Sequence, residues 1–183
     1  MRRSPVIERG FCPLSRGAGR NERAMPKEMT YKTRSPEETF DLGVRLASSF
    51  LPGDVVILAG SLGAGKTALV HGIASAMKVK SHVSSPTFTL LHIHLPGREG
   101  GIALHHFDLY RLEDADDFVA NGLDEYVGGD WVSALEWGDR ARKALPEEVI
   151  EIDIRYGQDP QERLFTIRMP DGRRIESTGR SCQ

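Results

Sequence analysis

One stretch, Val55-Val56-Ile57-Leu58-Ala59-Gly60-Ser61-Leu62-Gly63-Ala64-Gly65-Lys66-Thr67, constrains the fold more than any other part of the chain. Its uninterrupted apolar start predicts a strand buried on both faces, and a strand of that kind belongs to a parallel sheet covered by helices. It runs directly into glycines, and Gly60 followed after four residues by Gly65-Lys66-Thr67 has the spacing of a phosphate loop. Glycines let the backbone turn its N–H groups toward an anion at close range. Lys66 would reach the β- and γ-phosphates, the Thr67 hydroxyl would ligate Mg²⁺, and the positive end of the following helix would face the same anion. The loop from Gly60 through Ser61, Leu62, Gly63, Ala64 and Gly65 to Lys66, Thr67 and Ala68 is therefore the expected phosphate-binding segment.

The chain has 183 residues, the size of one domain, too short for a nucleotide domain plus a separate catalytic one, so partner chains are expected. A net charge of -2 gives no overall basic footprint for gripping nucleic acid directly. Cys12 and Cys182 lie near opposite ends, which argues against zinc and against a disulfide framework. No apolar run approaches the ~18 residues that span a bilayer, and a soluble, cytosolic protein is expected.

Residues 1–24 hold six arginines and no apolar period, so a disordered extension is expected, or a translation start at Met25 or Met29. Residues 25–172 are read as one domain and 173–183 as a flexible tail. From Tyr31 the chain has the pattern of a folded protein. Ser35-Pro36-Glu37-Glu38 is a capping box opening a helix of about four turns that stops near Leu51-Pro52-Gly53. Leu69, Ile73 and Met77 stripe the helix after the loop.

Ser84 to His94 is a polar loop turning into an alternating strand. Thr87 either senses the γ-phosphate and Mg²⁺ or sits in a proline turn leading into an edge strand. Leu95 to Gly101 is a hairpin loop too short for a lid. Ile102 to Asp108 reads as a second sheet strand ending in an acid at the edge that carries the phosphate loop, where Asp108 would hold a Mg²⁺-bound water. His92, His94, His105 and His106 cluster here, but alternate strand residues point to opposite faces, which weakens a metal-site reading. Glu113 to Asn121 is a short acidic helix closed by Gly122. Trp131 to Trp137 contains a third buried strand, and Glu136 at its end is either a catalytic carboxylate orienting water or a surface glutamate. Val149 to Tyr156 and Leu164 to Met169 form a half-exposed antiparallel hairpin, expected to be appended to the core.

Gly60 to Thr67, Ser85-Pro86-Thr87-Phe88, His106-Phe107-Asp108-Leu109-Tyr110-Arg111 and Leu135-Glu136-Trp137 together resemble the TsaE (YjeE) family, in order and spacing, from about Thr33 to Met169. The resemblance implies an α/β P-loop ATPase that uses ATP and Mg²⁺ and works with TsaB and TsaD. Those proteins transfer a threonylcarbamoyl group to adenosine beside the anticodon, so tRNA would be met through the partners. It further implies that Lys66 and Thr67 bind phosphate and Mg²⁺, that Thr87 lies in a switch-like loop, that Asp108 serves Mg²⁺, and that Glu136 with Trp137 at the nucleotide is needed for hydrolysis. Two positions depart from the family pattern: Ser61 stands where an acidic residue is common, and Ala68 where a second threonine is. The rival readings are a small-molecule kinase, which would need an arginine-bearing lid, and a non-hydrolysing nucleotide switch. Guanine is disfavoured because no Asn-Lys-x-Asp segment occurs.

Overall fold

The computed structural model describes residues 27–81, 83–86 and 88–170 of the chain. The expectations for residues 1–24, for Thr87 and for the tail at 173–183 lie outside these. The elements run β1 (Lys27–Thr33), α1 (Pro36–Ala47), β2 (Val55–Gly60), α2 (Lys66–Met77), β3 (Leu91–His94), β4 (Ala103–Asp108), α3 (Ala115–Ala120), β5 (Trp131–Glu136), β6 (Ile150–Tyr156) and β7 (Arg163–Met169). All seven strands join one sheet in the order β1-β7-β6-β2-β5-β4-β3. Pairing is parallel through β6, β2, β5 and β4 and antiparallel at both flanks.

β2 is buried on both faces, as its apolar run requires. Val56 and Leu58 join Leu42 and Leu46 of α1 and Leu69 and Ile73 of α2 in one core layer. Val55 and Ile57 meet Phe107, Leu135 and Phe118 in the other, beneath α3 and the 3-10 segment Gly138–Ala144. Each fully buried side chain of this size contributes roughly 1.5–3 kcal/mol of hydrophobic stabilisation. The two long helices cross in contact at Gly43 and Gly72. A Cβ on Gly72 would fall 2.0 Å from the Phe40 carbonyl oxygen, so only glycine lets α2 lie this close to α1.

The capping box opens α1 with a shifted partner. The Glu38 amide donates to the Ser35 hydroxyl at 3.2 Å, while the Glu38 carboxylate accepts from the Arg34 amide rather than from Ser35. The helix ends at Ala47, short of the expected four turns, and the chain tightens through Phe50 N–H to Ala47 O before β2. α3 is likewise shorter than the acidic pattern suggests, because Asp114 caps it by accepting from the Asp116 and Asp117 amides.

Two differences from the sequence reading concern the sheet. The C-terminal hairpin is not appended: β6 is the third strand of seven, bonded in parallel to β2 from Ile150 to Ile154. Its alternation fits that place, since Ile150, Ile152 and Ile154 face the helix layer while Glu151 and Asp153 stay half-buried on the other side. Folding also begins before Tyr31. Lys27–Thr33 pairs along its whole length with β7, and Met29 and Tyr31 pack on the helix-side core.

Candidate functional site

The carboxyl ends of β2, β4 and β5 open onto a cleft of about 360 Å³ lined by Leu62 to Ala68, Ser85, Asp108, Tyr110, Glu136 and Trp137. The parallel register makes this convergence unavoidable: Leu58 lies opposite Glu136 and Asp108 opposite Glu136 on adjoining strands. Gly60 lets the chain leave β2 against β6. A Cβ there would stand 2.5 Å from the Ile154 carbonyl oxygen, at a backbone φ of +146°. The loop then delivers α2, whose N-cap Gly65 offers no side-chain cap. Its first-turn N–H groups have no intrahelical acceptor and lie in the cleft wall.

Lys66 is 4% exposed. Its ammonium donates to the carbonyls of Gly60 at 2.8 Å and Ser61 at 2.9 Å, and lies 3.8 Å from the Trp137 ring centroid. Burial holds its pKa below the usual lysine value, opposed by the charges of Glu136, Asp108 and Asp139. Thr67 donates its hydroxyl to both carboxylate oxygens of Glu136, at 2.8 and 3.1 Å. Glu136 is 3% exposed, so it is not a surface glutamate. Asp108, 4% exposed, accepts from the Ser85 hydroxyl at 2.7 Å and from the Tyr110 amide at 3.1 Å.

Trp137 takes a left-handed backbone (φ +60°), fixed by its N–H to Leu58 O at 2.9 Å. That turn brings its ring beneath Lys66 and to 5.1 Å from the Tyr110 ring. Arg140 stands 5.5 Å from the Trp137 ring and 5.6 Å from that of Tyr110, donating to the carbonyls of Tyr110 and Leu112. From the other side the β6–β7 hairpin holds the loop: Tyr156 donates to Leu62 O at 2.9 Å, and Arg163 stacks over Tyr156 at 4.1 Å.

Of the residues singled out from sequence, Lys66, Thr67, Asp108, Glu136 and Trp137 thus meet in one cleft with Leu62 to Gly65 and Ala68. Gly60 and Ser61 contribute carbonyls to Lys66 behind it. Ser85 and Tyr110 line the cleft and His106 bonds Glu136, although the motifs that contain them suggest no such place for any of the three. Arg140, Tyr156 and Arg163 carried no signal, since their partners are distant in sequence.

The histidines divide between the two sheet faces, as alternation requires. His105 lies on one face, stacked on Trp131 at 4.3 Å and bonded to Tyr126 O. His94 and His106 stack at 6.3 Å on the other, with His92 edge-on to His94. Among the described residues no three His, Cys, Asp or Glu side chains are grouped to hold a metal ion. His94 bonds Ser81 Oγ through Nδ1, and burial first, then the neighbouring His106, His92 and His105, push its pKa down to about 4. The unfolded chain therefore takes up a proton at His94 near pH 6.5 that the folded chain refuses, so acidification favours unfolding. About 2 kcal/mol of stability should be lost between pH 7 and 5 from this group alone. Thermal melts of the parent and of His94→Gln would measure it: the variant should show the shallower pH slope, and equal slopes would remove His94 from the effect.

A parallel core in which the helix after the central strand β2 starts at a glycine-rich loop on the sheet's carboxyl edge defines an α/β protein of the phosphate-loop fold class. A family model described as "Threonylcarbamoyl adenosine biosynthesis protein TsaE" matches residues 33–165. The chain is 39% identical over 141 residues to the tRNA threonylcarbamoyladenosine biosynthesis protein TsaE of Bacillus subtilis, covering 76% of this chain and 86% of that protein. It is 38% identical to the protein of that name from Treponema pallidum, covering 72% and 95%, and 42% identical to that of Mycobacterium leprae, covering 71% and 84%. The crystal structure of Bacillus subtilis YdiB superposes with a TM-score of 0.66 at 33% identity, over 80% of this chain and 88% of that one. The chain belongs to the TsaE family.

Proposed function

We propose that this protein is a Mg²⁺-dependent ATPase of the tRNA N6-threonylcarbamoyladenosine modification system, working in the cytoplasm with TsaB- and TsaD-type proteins and meeting tRNA through them. The observation that carries the reading is the convergence of Lys66, Thr67, Asp108 and Glu136 in one cleft at the mouth of a glycine loop. Family membership supplies the pathway. No helix among the described residues is long and apolar enough to cross a membrane.

In this reading the free N–H groups at the start of α2 and the Lys66 ammonium hold the phosphates, with Ser61 and Ala68 contributing backbone only. The donors fit a magnesium ion: two buried carboxylates face one ammonium in the cleft, and Thr67 and Asp108 offer hard oxygens of the kind such an ion takes alongside phosphates and water. Bound there, the ion would neutralise charge on the phosphates. Glu136 orients the attacking water and accepts its proton, Trp137 packs the lysine from below, and Thr87, in the segment after Ser85, reports the γ-phosphate.

The open cleft favours an ATPase that a partner closes. Leu62 is 71% exposed and Tyr110 43% exposed at its rim, so water reaches the phosphates and the transition-state charge is poorly shielded. The isolated chain should therefore release phosphate slowly and the TsaB–TsaD pair should accelerate it. Phosphate release from labelled ATP, measured alone, with the pair, and with the pair plus tRNA, tests this. Full-speed turnover unaffected by the pair would overturn partner gating, and phosphorylated product from a nucleoside panel would establish a kinase instead.

A further inference from the structure

We infer that His106 is a positioning residue that holds Glu136 in its working orientation, an inference that rests on the reading of Glu136 as the water-orienting carboxylate. His106 lies opposite Ala134 in the β4–β5 register, one step behind the Asp108–Glu136 pair and on the same sheet face. The step back along the strand brings its Nε2 to 3.0 Å from Glu136 Oε1. A carboxylate only accepts, so Nε2 is the nitrogen that carries the hydrogen. The ring is wholly buried, stacked on His94 at 6.3 Å, and its Nδ1 has no partner among the described residues. A purely space-filling position at this depth would be served by an apolar side chain, without the cost of burying an unmatched nitrogen.

Glu136 has two donors of different character. Thr67 sits at the start of α2, in the wall where phosphates and their cation are received, so its hydroxyl turns to another partner when the cleft is loaded. His106 is sealed in the core, and among the described residues its Nε2 is directed at Glu136. The carboxylate then keeps one oxygen fixed on Nε2 and presents the other to the cleft. Such outer contacts commonly govern activity about 10- to 100-fold without touching the substrate.

Two substitutions separate positioning from packing. His106→Gln keeps an amide N–H within reach of the Nε2 position, whereas His106→Leu, or His106→Met should Leu fail to fold, removes the donor while filling the space. ATP affinity by calorimetry should stay within about twofold in all variants, while kcat should fall about 10- to 100-fold in the apolar ones and recover in part with Gln. An independent readout needs no turnover. In ¹⁵N-histidine NMR of the ligand-free chain, His106 should carry its proton on Nε2, and that signal should shift in Glu136→Gln. If the parent fails to hydrolyse ATP even with its partners, the ATPase reading falls, and the NMR signal alone decides whether His106 holds Glu136. Apolar variants with parental kcat, Gln and Leu equally impaired, or a proton on Nδ1 would each overturn the inference.

Discussion

Glu136→Gln should bind ATP as the parent does and hydrolyse it at least ~100-fold more slowly, because an amide keeps the shape of a carboxylate but not its basicity. The bonds around this side chain make the substitution mild for the fold. Glu136 Oε1 receives both the Thr67 hydroxyl at 2.8 Å and His106 Nε2 at 3.0 Å, so the amide oxygen of Gln can occupy that position and satisfy both donors. The nitrogen then replaces Oε2, which accepts only the longer 3.1 Å contact from Thr67. Binding and turnover should separate: calorimetry gives an unchanged affinity while single-turnover phosphate release slows. Equal turnover in variant and parent would remove Glu136 from the chemistry.

That separation rests on contacts between residues far apart in sequence, which is also where sequence reading stops. β2, its loop and α2 were legible because their signals are local: an apolar run, glycine spacing and a helical stripe within some 25 residues. Asp108 and Glu136 were legible as strand-end acids, and the sheet's parallel register then aligned them. The bond from His106 to Glu136 was not, since it depends on β4 and β5 being neighbours. Nor was the place of β6, because isoleucines alternating with Glu151 and Asp153 describe a half-covered strand whether it lies at an edge or in the middle. β1 was hidden for a related reason. Lys27–Thr33 has only Met29 and Tyr31 as large apolar residues, and its strand character comes from the β7 backbone it pairs with. Trp137 carries a left-handed turn that a bulky residue seldom adopts, held by a hydrogen bond to β2 that no local pattern announces. Family motifs named more of the site than periodicity did, because Ser85, His106 and Tyr110 are polar or amphipathic residues without a repeating spacing.

Lys66→Ala should lower ATP affinity about tenfold to hundredfold, the worth of a charge-assisted phosphate contact of roughly 1.5 to 3 kcal/mol. In the described cleft the ammonium is already buried and already placed, folded back on the Gly60 and Ser61 carbonyls with the Trp137 ring below it. It therefore loses little freedom when an anion arrives, and its gain comes from replacing carbonyl dipoles by full negative charge. Arginine should not rescue it, because a planar fork cannot reproduce a compact ammonium seated between two carbonyls and an indole face. Burial disfavours the ammonium, but its removal also leaves the buried Glu136 and Asp108 carboxylates without their facing cation, so melting temperature has to be measured beside affinity. Calorimetry with ATP, run beside thermal melts of Lys66→Ala and Lys66→Arg, separates a binding role from a structural one. Parental affinity in the alanine variant would exclude Lys66 from the phosphate contact, and a collapse in melting temperature matching the loss of binding would make it a strut of the loop.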